Sequence, residues 1–407
     1  MSLPALSDLK VVEWSDFVSG PYCGKLLADL GAEVIKVEKP GCGDRARSYG
    51  PFPQDIPHLE KSGLFLYLNT NKLGITLNVA CAAGAEIFRR LVKWADVLVD
   101  NHPPQEIEEL GFTYESLKKL NHTLVMTSIS RFGQTGPYRD YRACDLNSFH
   151  VSGMAFINPS DGVDDAESQP PLKAPEYQGD MVAGLSAGIA TMSAVIASRS
   201  TGQGQHVDLS EQEALASIMR REYAVYTMEG MNWIRPKFER TGMTVSDIYR
   251  CKDGLVYLIC FQARMWEGWL DAMGNPEWAN NELFSDRIMR RDNWDAAKTL
   301  IEEWTMQRPV REVVAMADAR RVPCKPVNSV TEVVNSELLA SRDYFVEIDH
   351  AEAGKVKFPG APYKLSSTPW ALRRAAPLLG EHNHEIYCRR LGYSRGDLVR
   401  MRAEGVI

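Results

Sequence analysis

Apolar and polar positions alternate along the first half of the chain in a strand–helix–strand rhythm. Lys10-Val-Val-Glu-Trp14 reads as a short strand followed by a loop at 15–20. Pro21 suits the first position of a helix, where its missing N–H costs nothing. That helix runs to about Leu30, Gly31 stops it, and Glu33-Val-Ile-Lys-Val-Glu38 is the next strand. The rhythm continues with a helix at 84–94, a strand at 96–100, a helix at 114–120 and a strand at 123–129. Helices between largely apolar strands predict an α/β fold: a parallel sheet with helices on both faces. A small-residue helix from Asp180 to about Ser198, a strand at 205–209 and a helix at 211–228 complete this region.

Regularity fails over 229–245, a polar stretch that reads as a domain crossing. Beyond it the pattern changes. Tyr249-Arg-Cys-Lys-Asp-Gly-Leu-Val-Tyr-Leu-Ile259 places an Asp-Gly turn between strand-like runs, a hairpin signal, and several helices follow. Strand-like pieces at 344–349 and 355–359 and a helix near 384–391 are expected to return to the first domain. The division expected is a large domain at 1–228, a linker at 229–245, a small α+β domain at 246–330, and a returning segment at 331–407.

Composition narrows the function classes. The 407 residues carry 46 Lys+Arg against 53 Asp+Glu, a formal charge of −7, which argues against nucleic acid as partner. The uncharged stretch 181–198 is built of Ala, Gly, Ser and Thr with few large apolar residues, so it reads as a buried helix, not a membrane span. Nothing near Met1 pairs a basic segment with an apolar one, and the eight cysteines are scattered without a Cys-x-x-Cys, both of which suit reduced thiols in the cytoplasm. His382-Asn-His384 with Cys388 is a metal candidate, but its charged surroundings favour a solvated segment.

The opening strand and loop invite a dinucleotide site, yet Ser15-Asp-Phe-Val-Ser-Gly20 lacks the glycine pattern, leaving Glu38 as a surface strand end. Gly41-Cys-Gly43-Asp44, flanked by Lys39, Arg45 and Arg47, reads either as a turn or as an anion contact. Asp180 stands where turn residues give way to an apolar helix. It reads either as a cap accepting an N–H bond or as a nucleophile or base facing a cleft. Asp145, in Ala-Cys-Asp-Leu-Asn-Ser, has the same two readings.

One set of motifs, in order, is far more specific: Gly20-Pro21, Leu-Leu-Ala-Asp-Leu-Gly-Ala-Glu-Val-Ile-Lys-Val-Glu-Lys-Pro (26–40), Asn71-Lys72, Ile75-Thr-Leu77 and Ala95-Asp-Val-Leu-Val. Phe132-Gly-Gln-Thr-Gly-Pro-Tyr138, Gly202-Gln-Gly-Gln-His-Val-Asp208, Pro323-Cys-Lys-Pro-Val327 and Pro377-Leu-Leu-Gly-Glu-His382 follow. Along nearly its whole length the chain resembles the family III CoA-transferases, the group of formyl-CoA:oxalate and carnitine CoA-transferases and of α-methylacyl-CoA racemases. The resemblance implies a Rossmann-like large domain built from both chain ends, a smaller inserted domain, and two interlocked subunits. It implies transfer of CoA from an acyl-CoA donor to a carboxylic acid acceptor, through an anhydride and a CoA thioester on Asp180, with no metal or redox cofactor. The CoA-binding positions it implies are Val18, Ser19, Lys39, Leu77, Asn101, His102 and Arg142.

Departures from the family pattern shape the remaining expectations. Family racemases have a His where Cys144 stands, and a thiol there is a poor proton shuttle. After Asn101 the family usually has arginines at positions held here by Pro103 and Glu109. Arg131, at a usual glycine, is expected either to reach a CoA phosphate in compensation or to pair with Glu109. The alternatives to a catalytic homodimer are a noncatalytic or partner subunit of a heteromeric CoA-transferase, with a related subunit supplying the basic set, and a 2-methylacyl-CoA racemase. Arg240-Thr-Gly-Met-Thr-Val-Ser246 has a single Gly, against oxalate, while Met243, Trp266 and Trp269 hint at a larger or apolar acid.

Overall fold

The computed structural model describes residues 3–158, 169–232 and 246–407. Two compact units divide the chain: Met1–Arg235 with Tyr344–Ile407, and Pro236–Asp343. The crossing expected at 229–245 falls largely at 233–245, outside the described residues, as do Met243 and most of the 240–246 segment.

The first unit is organised by six parallel strands: β1 (Lys10–Trp14), β2 (Glu33–Glu38), β3 (Leu73–Thr76), β4 (Val97–Asp100), β5 (Val125–Ser130) and β6 (His206–Ser210). Their order across the sheet is β3-β2-β1-β4-β5-β6, every pair parallel. The order reverses direction between β1 and β4, and in sheets of this kind ligands bind beyond the strands' carboxyl ends at that point. Helices α1 (Ser19–Asp29), α2 (Ala82–Trp94), α3 (Asp145–Val151), α4 (Gln178–Thr201) and α5 (Glu211–Ser217) accompany the strands. The helix expected to run unbroken over 211–228 is instead two: α5 ends at Ser217 and a second starts at Arg220.

Separate cores form on the two sheet faces. One gathers Val12, Ile35, Leu98 and Met126 with Phe88 and Leu91 of α2. The other gathers Val11, Val34, Val97 and Val125 with Leu27 of α1 and Ala183, Ala187 and Val195 of α4. Each fully buried aliphatic side chain is worth about 1.5–3 kcal/mol. Among the described residues, α4 is the helix long and apolar enough to cross a membrane by length and composition. Its small residues instead let it lie on α1: a Cβ at Gly184 would sit 2.6 Å from the Ser19 carbonyl oxygen. Gly202 then ends it in the left-handed conformation that glycine adopts most cheaply (φ 70°).

Residues 382–387 close the β3 edge of the sheet. Gly74 N–H donates to His382 Nδ1 (3.1 Å) and its carbonyl accepts from His382 N–H (2.9 Å). Thr76 N–H donates to Asn383 Oδ1 (2.9 Å), and Tyr387 Oη donates to the Thr76 carbonyl (2.6 Å). With Arg374 Nη1 2.7 Å from its Nε2, His382 has both ring nitrogens engaged within the fold; it is buried, not part of a solvated segment.

The second unit has a three-stranded antiparallel sheet, Ser246–Arg250, Leu255–Ile259 and Cys324–Pro326, packed by helices Ala263–Ala272, Trp294–Thr305 and Val310–Asp318. Trp266 and Trp269 are buried in its core with Tyr249, Ile301 and Val313, which accounts for both indoles as packing.

Candidate functional site

A cleft of about 1160 Å³ opens beyond the carboxyl ends of the parallel strands. The loops after β1, β2, β4 and β5 and the first turns of α4 and α5 supply its walls, with Asp16, Lys39, Asn101, Arg131, Asp180 and Glu211 among the lining residues.

Its floor is set by buried charge. Lys36 Nζ pairs with Glu13 (3.0 Å) and Asp44 (2.6 Å), and Lys72 Nζ pairs with the other Glu13 oxygen (2.7 Å). Asp44 Oδ1 in turn accepts the N–H groups of Phe17 (3.0 Å) and Ala46 (2.7 Å), while Lys36 reaches the Ser15 carbonyl (3.2 Å). One ionic network therefore fixes both the loop after β1 and the loop after β2, and Phe17 holds φ at 70° within it. Burial pushes the Lys72 ammonium down to about 8, with Glu13 opposing. Arg47, expected beside an anion, is instead buried on Glu38, Nε to Oε2 at 2.7 Å and Nη2 to Oε1 at 2.8 Å. Glu38 is accordingly no surface strand end.

A second polar chain lies behind β4. Asp100 Oδ2 accepts the Ser128 hydroxyl (2.7 Å), whose oxygen lies 2.9 Å from His206 Nε2. Burial raises Asp100 to about 7, against the Ser128 bond.

Asp180 occupies the first turn of α4 without capping it. Its own backbone N–H is held by Asp145 Oδ1 at 2.8 Å, so the external carboxylate caps this helix. Cys144 is the residue before α3, where its Sγ lies 3.2 Å from Asn147 Oδ1. The Asp180 side chain is 1% exposed, under an Arg131 side chain that is 21% exposed. Arg131 Nη1 lies 2.7 Å from Asp180 Oδ1 and also bonds Glu211 Oε2. Lys173 pairs with Asp145 Oδ2 at 2.7 Å. Burial raises the Asp180 pKa, with Arg131 opposing. Burial, reinforced by the charge of Asp180, lifts Glu211 to about 8. The arrangement presents a buried carboxylate in the first turn of a long helix, one oxygen fixed by a guanidinium.

The model of CoA-transferase family III matches residues 6–383. The chain belongs to this family of CoA-transferases. It is 32% identical over 410 residues to a succinyl-CoA–D-citramalate CoA-transferase of Chloroflexus aurantiacus, covering 99% of this chain and 98% of the relative. It is 31% identical over 428 residues to a formyl-CoA:oxalate CoA-transferase of Afipia carboxidovorans, with 99% and 97% covered. The solved structure of a CaiB/BaiF family protein from Brucella suis superposes with a TM-score of 0.84 at 30% identity, over 95% of this chain and all of that one.

The positions that the family resemblance links to CoA take different places. Lys39 and Arg142 are exposed on the cleft wall and join no ion pair among the described residues. Ser19 and Leu77 also line it. Val18 does not: it is fully buried and its carbonyl accepts the Tyr22 N–H at 2.8 Å. Asn101 spends its amide on the β1 loop, Oδ1 accepting from Asp16 N–H (2.8 Å) and Nδ2 donating to the Asp16 carbonyl (2.7 Å) and Ser19 Oγ (3.1 Å). His102 stacks on Trp14 with ring centroids 4.0 Å apart, and burial, aided by Lys36, lowers it to about 4, a neutral ring. Arg131 pairs with Asp180 and Glu211 and not with Glu109, which lies elsewhere on the cleft wall. Arg45, one of the three cations flanking the 41–44 turn, does line the cleft, stacked over Phe17, and Arg139, paired with Glu108, is a cleft cation that no motif marked. Glu211 escaped as well, because an acidic residue opening a helix is ordinary.

Proposed function

We propose that the enzyme moves CoA from an acyl-CoA donor to a carboxylic acid acceptor through covalent intermediates on Asp180. The observation that carries this reading is a carboxylate buried at the cleft end of α4, one oxygen bound by Arg131 and the other, Oδ2, without a hydrogen-bond partner among the described residues. Oδ2 attacks the thioester carbonyl, forming an acyl–aspartyl anhydride and expelling the CoA thiolate. The thiolate attacks the aspartyl carbonyl, giving the Asp180–CoA thioester and the donor acid. The acceptor carboxylate attacks that thioester in turn, expelling the CoA thiolate and forming a second anhydride; the thiolate then attacks the acceptor's acyl carbon, giving the new acyl-CoA and freeing the Asp180 carboxylate. Arg131 faces the carboxyl throughout and stabilises negative charge where it develops. Burial keeps water from the anhydride.

In this reading Lys39 and Arg142 meet the CoA phosphates, and Arg45 and Arg139 line the same cleft. Ser19 and Leu77 offer polar backbone along the cleft, while Asn101 and His102 shape its loops. Two copies interlock as a dimer, and the exposed apolar face of α4 (Leu185, Ile189, Ile196) suits burial against another surface. The eight free cysteines suit a reducing, cytoplasmic setting. Hydroxylamine added during turnover with a panel of acyl-CoA donors should mark Asp180 as a hydroxamate by mass spectrometry. Acyl exchange that persists with Asp180→Asn at near wild-type rate would overturn the mechanism.

A further inference from the structure

The carboxyl groups around Asp180 outnumber the cations. Asp180, Glu211 and Asp145 converge from α4, α5 and α3, and Arg131 and Lys173 answer them. With all five ionised the buried cluster carries one negative charge in excess, a costly state away from water. The geometry names where the imbalance sits. Asp180 Oδ1 and Glu211 Oε2 share the same guanidinium nitrogen, and each group has one further buried oxygen, Asp180 Oδ2 and Glu211 Oε1, with no donor among the described residues. Sharing one guanidinium nitrogen brings the two carboxyl groups together. One proton satisfies the pair and cancels the excess charge.

We infer that Asp180 and Glu211 share a single proton in the resting enzyme, carried by Glu211, and that this proton departs when Asp180 loses its charge to acyl chemistry. Glu211 is the carrier because Asp180 stands in the first turn of a 24-residue helix, whose positive end favours the anion there, while α5 has only seven residues. The upward shift of Glu211, driven first by burial and next by the Asp180 charge, agrees. The other groups facing Glu211 are Arg131 and Asp145, the latter bound to Lys173. Glu211 is a positioning residue: it keeps Arg131 in place and holds a proton while the chemistry occurs on its neighbour.

The step balances as follows, and it rests on Asp180 being the nucleophile. Asp180 carboxylate, Glu211 carboxylic acid and acyl-CoA become the Asp180–CoA thioester, Glu211 carboxylate, the free acid anion and one proton released to solvent. The acyl C–S bond breaks, the Asp180 Cγ–S bond forms through the anhydride, and an Asp180 oxygen leaves with the acid. Arg131 then serves Glu211 alone, so the cluster is charge-balanced before and after.

Asp180→Asn imitates the uncharged, substituted carboxyl without any substrate, so the test uses the unliganded protein. Infrared difference titration should show a protonated-carboxyl C=O band that is lost with a midpoint near pH 8 and is missing from Glu211→Gln. In Asp180→Asn that midpoint should fall, so that most of the band is gone at pH 7. Selective ¹³C labelling of glutamate in the wild type should shift the same band, which keeps the test valid if Glu211→Gln folds poorly. A band unmoved by both labelling and Glu211→Gln overturns the inference, as does an unchanged or higher midpoint in Asp180→Asn. Hydroxylamine trapping at Asp180 judges the nucleophile separately. A midpoint that falls without trapping retains the shared proton and removes its catalytic consequence.

Discussion

Asp145 binds Asp180 through the backbone: its Oδ1 accepts the Asp180 N–H at 2.8 Å. The residue that the sequence suggests as a helix cap is therefore itself capped, and its carboxylate is left to face Arg131 and the cleft. Structural duty and chemical duty, read as rivals at one residue, are divided between two.

That division predicts how Asp180→Asn behaves. Burial raises the Asp180 pKa. A folded pKa above the unfolded one means stability that is complete at low pH and declines as pH rises through the folded value. Removing the charge removes that decline. The expected melting midpoint of Asp180→Asn at pH 8 is unchanged or higher, while exchange falls by at least about 10³-fold. A midpoint lowered by more than about 5 °C shows the carboxylate to be a structural element instead.

Asp100 should leave a mark on the pH dependence of stability. Its pKa, raised to about 7 by burial, compares with about 3.9 unfolded. The folded state binds the extra proton between these values, so stability should fall as pH rises from about 4 to 7, by up to about 1.4 kcal/mol per pH unit from this group. Asp100→Asn should flatten that slope in urea melts at pH 5, 6 and 7. Parallel wild-type and variant slopes contradict the assignment.

Lys36 tests the ionic floor. Replacing it with Met leaves Glu13 with Lys72 alone and Asp44 without its cation, at an expected cost of about 3–5 kcal/mol in urea denaturation. Both loops that Lys36 holds border the cleft, so CoA affinity should weaken too, although Lys36 itself is fully buried. A variant as stable as wild type refutes the role of the network.

Lys39 and Arg142 stand free in the cleft and should act on CoA directly. Each alanine variant is expected to lose about 1.5–3 kcal/mol of CoA affinity by calorimetry, or roughly 10- to 100-fold. The loss should shrink as salt rises, because exposed charges are screened. Equal losses at low and high salt point to contacts other than phosphate.

Much of the sheet is legible from local pattern. β1, β2, β4 and β5 are short, largely buried runs rich in Val, Ile and Leu and bounded by turn residues, and β6 follows β5 as its partner. β3 is not: Leu73-Gly-Ile-Thr76 is four residues with a glycine, and its polar partners His382 and Asn383 lie more than 300 residues away. The site divides in the same way. Asp180 and Lys39 are legible through family motifs, whereas the roles of Arg131 and Glu211 depend on an 80-residue separation that only folding closes. Asn101 and His102 show the converse, positions that a motif marks without saying that their side chains serve the neighbouring loop and Trp14.

The closure of the β3 edge by residues 382–387 has a consequence for biosynthesis. As the chain emerges from the ribosome, all six strands are complete once Ser210 is made, yet the polar groups of Gly74 and Thr76 have no cover until the final few dozen residues appear. Among the described residues, nothing made earlier takes the place of this cover, so during that interval the nascent protein presents an open sheet edge, the feature through which strands of different molecules pair. The whole of the second unit is translated inside this window. Solubility of the newborn chain thus depends on residues 382–387, and a ribosome that stalls in the second unit holds a polypeptide primed for aggregation.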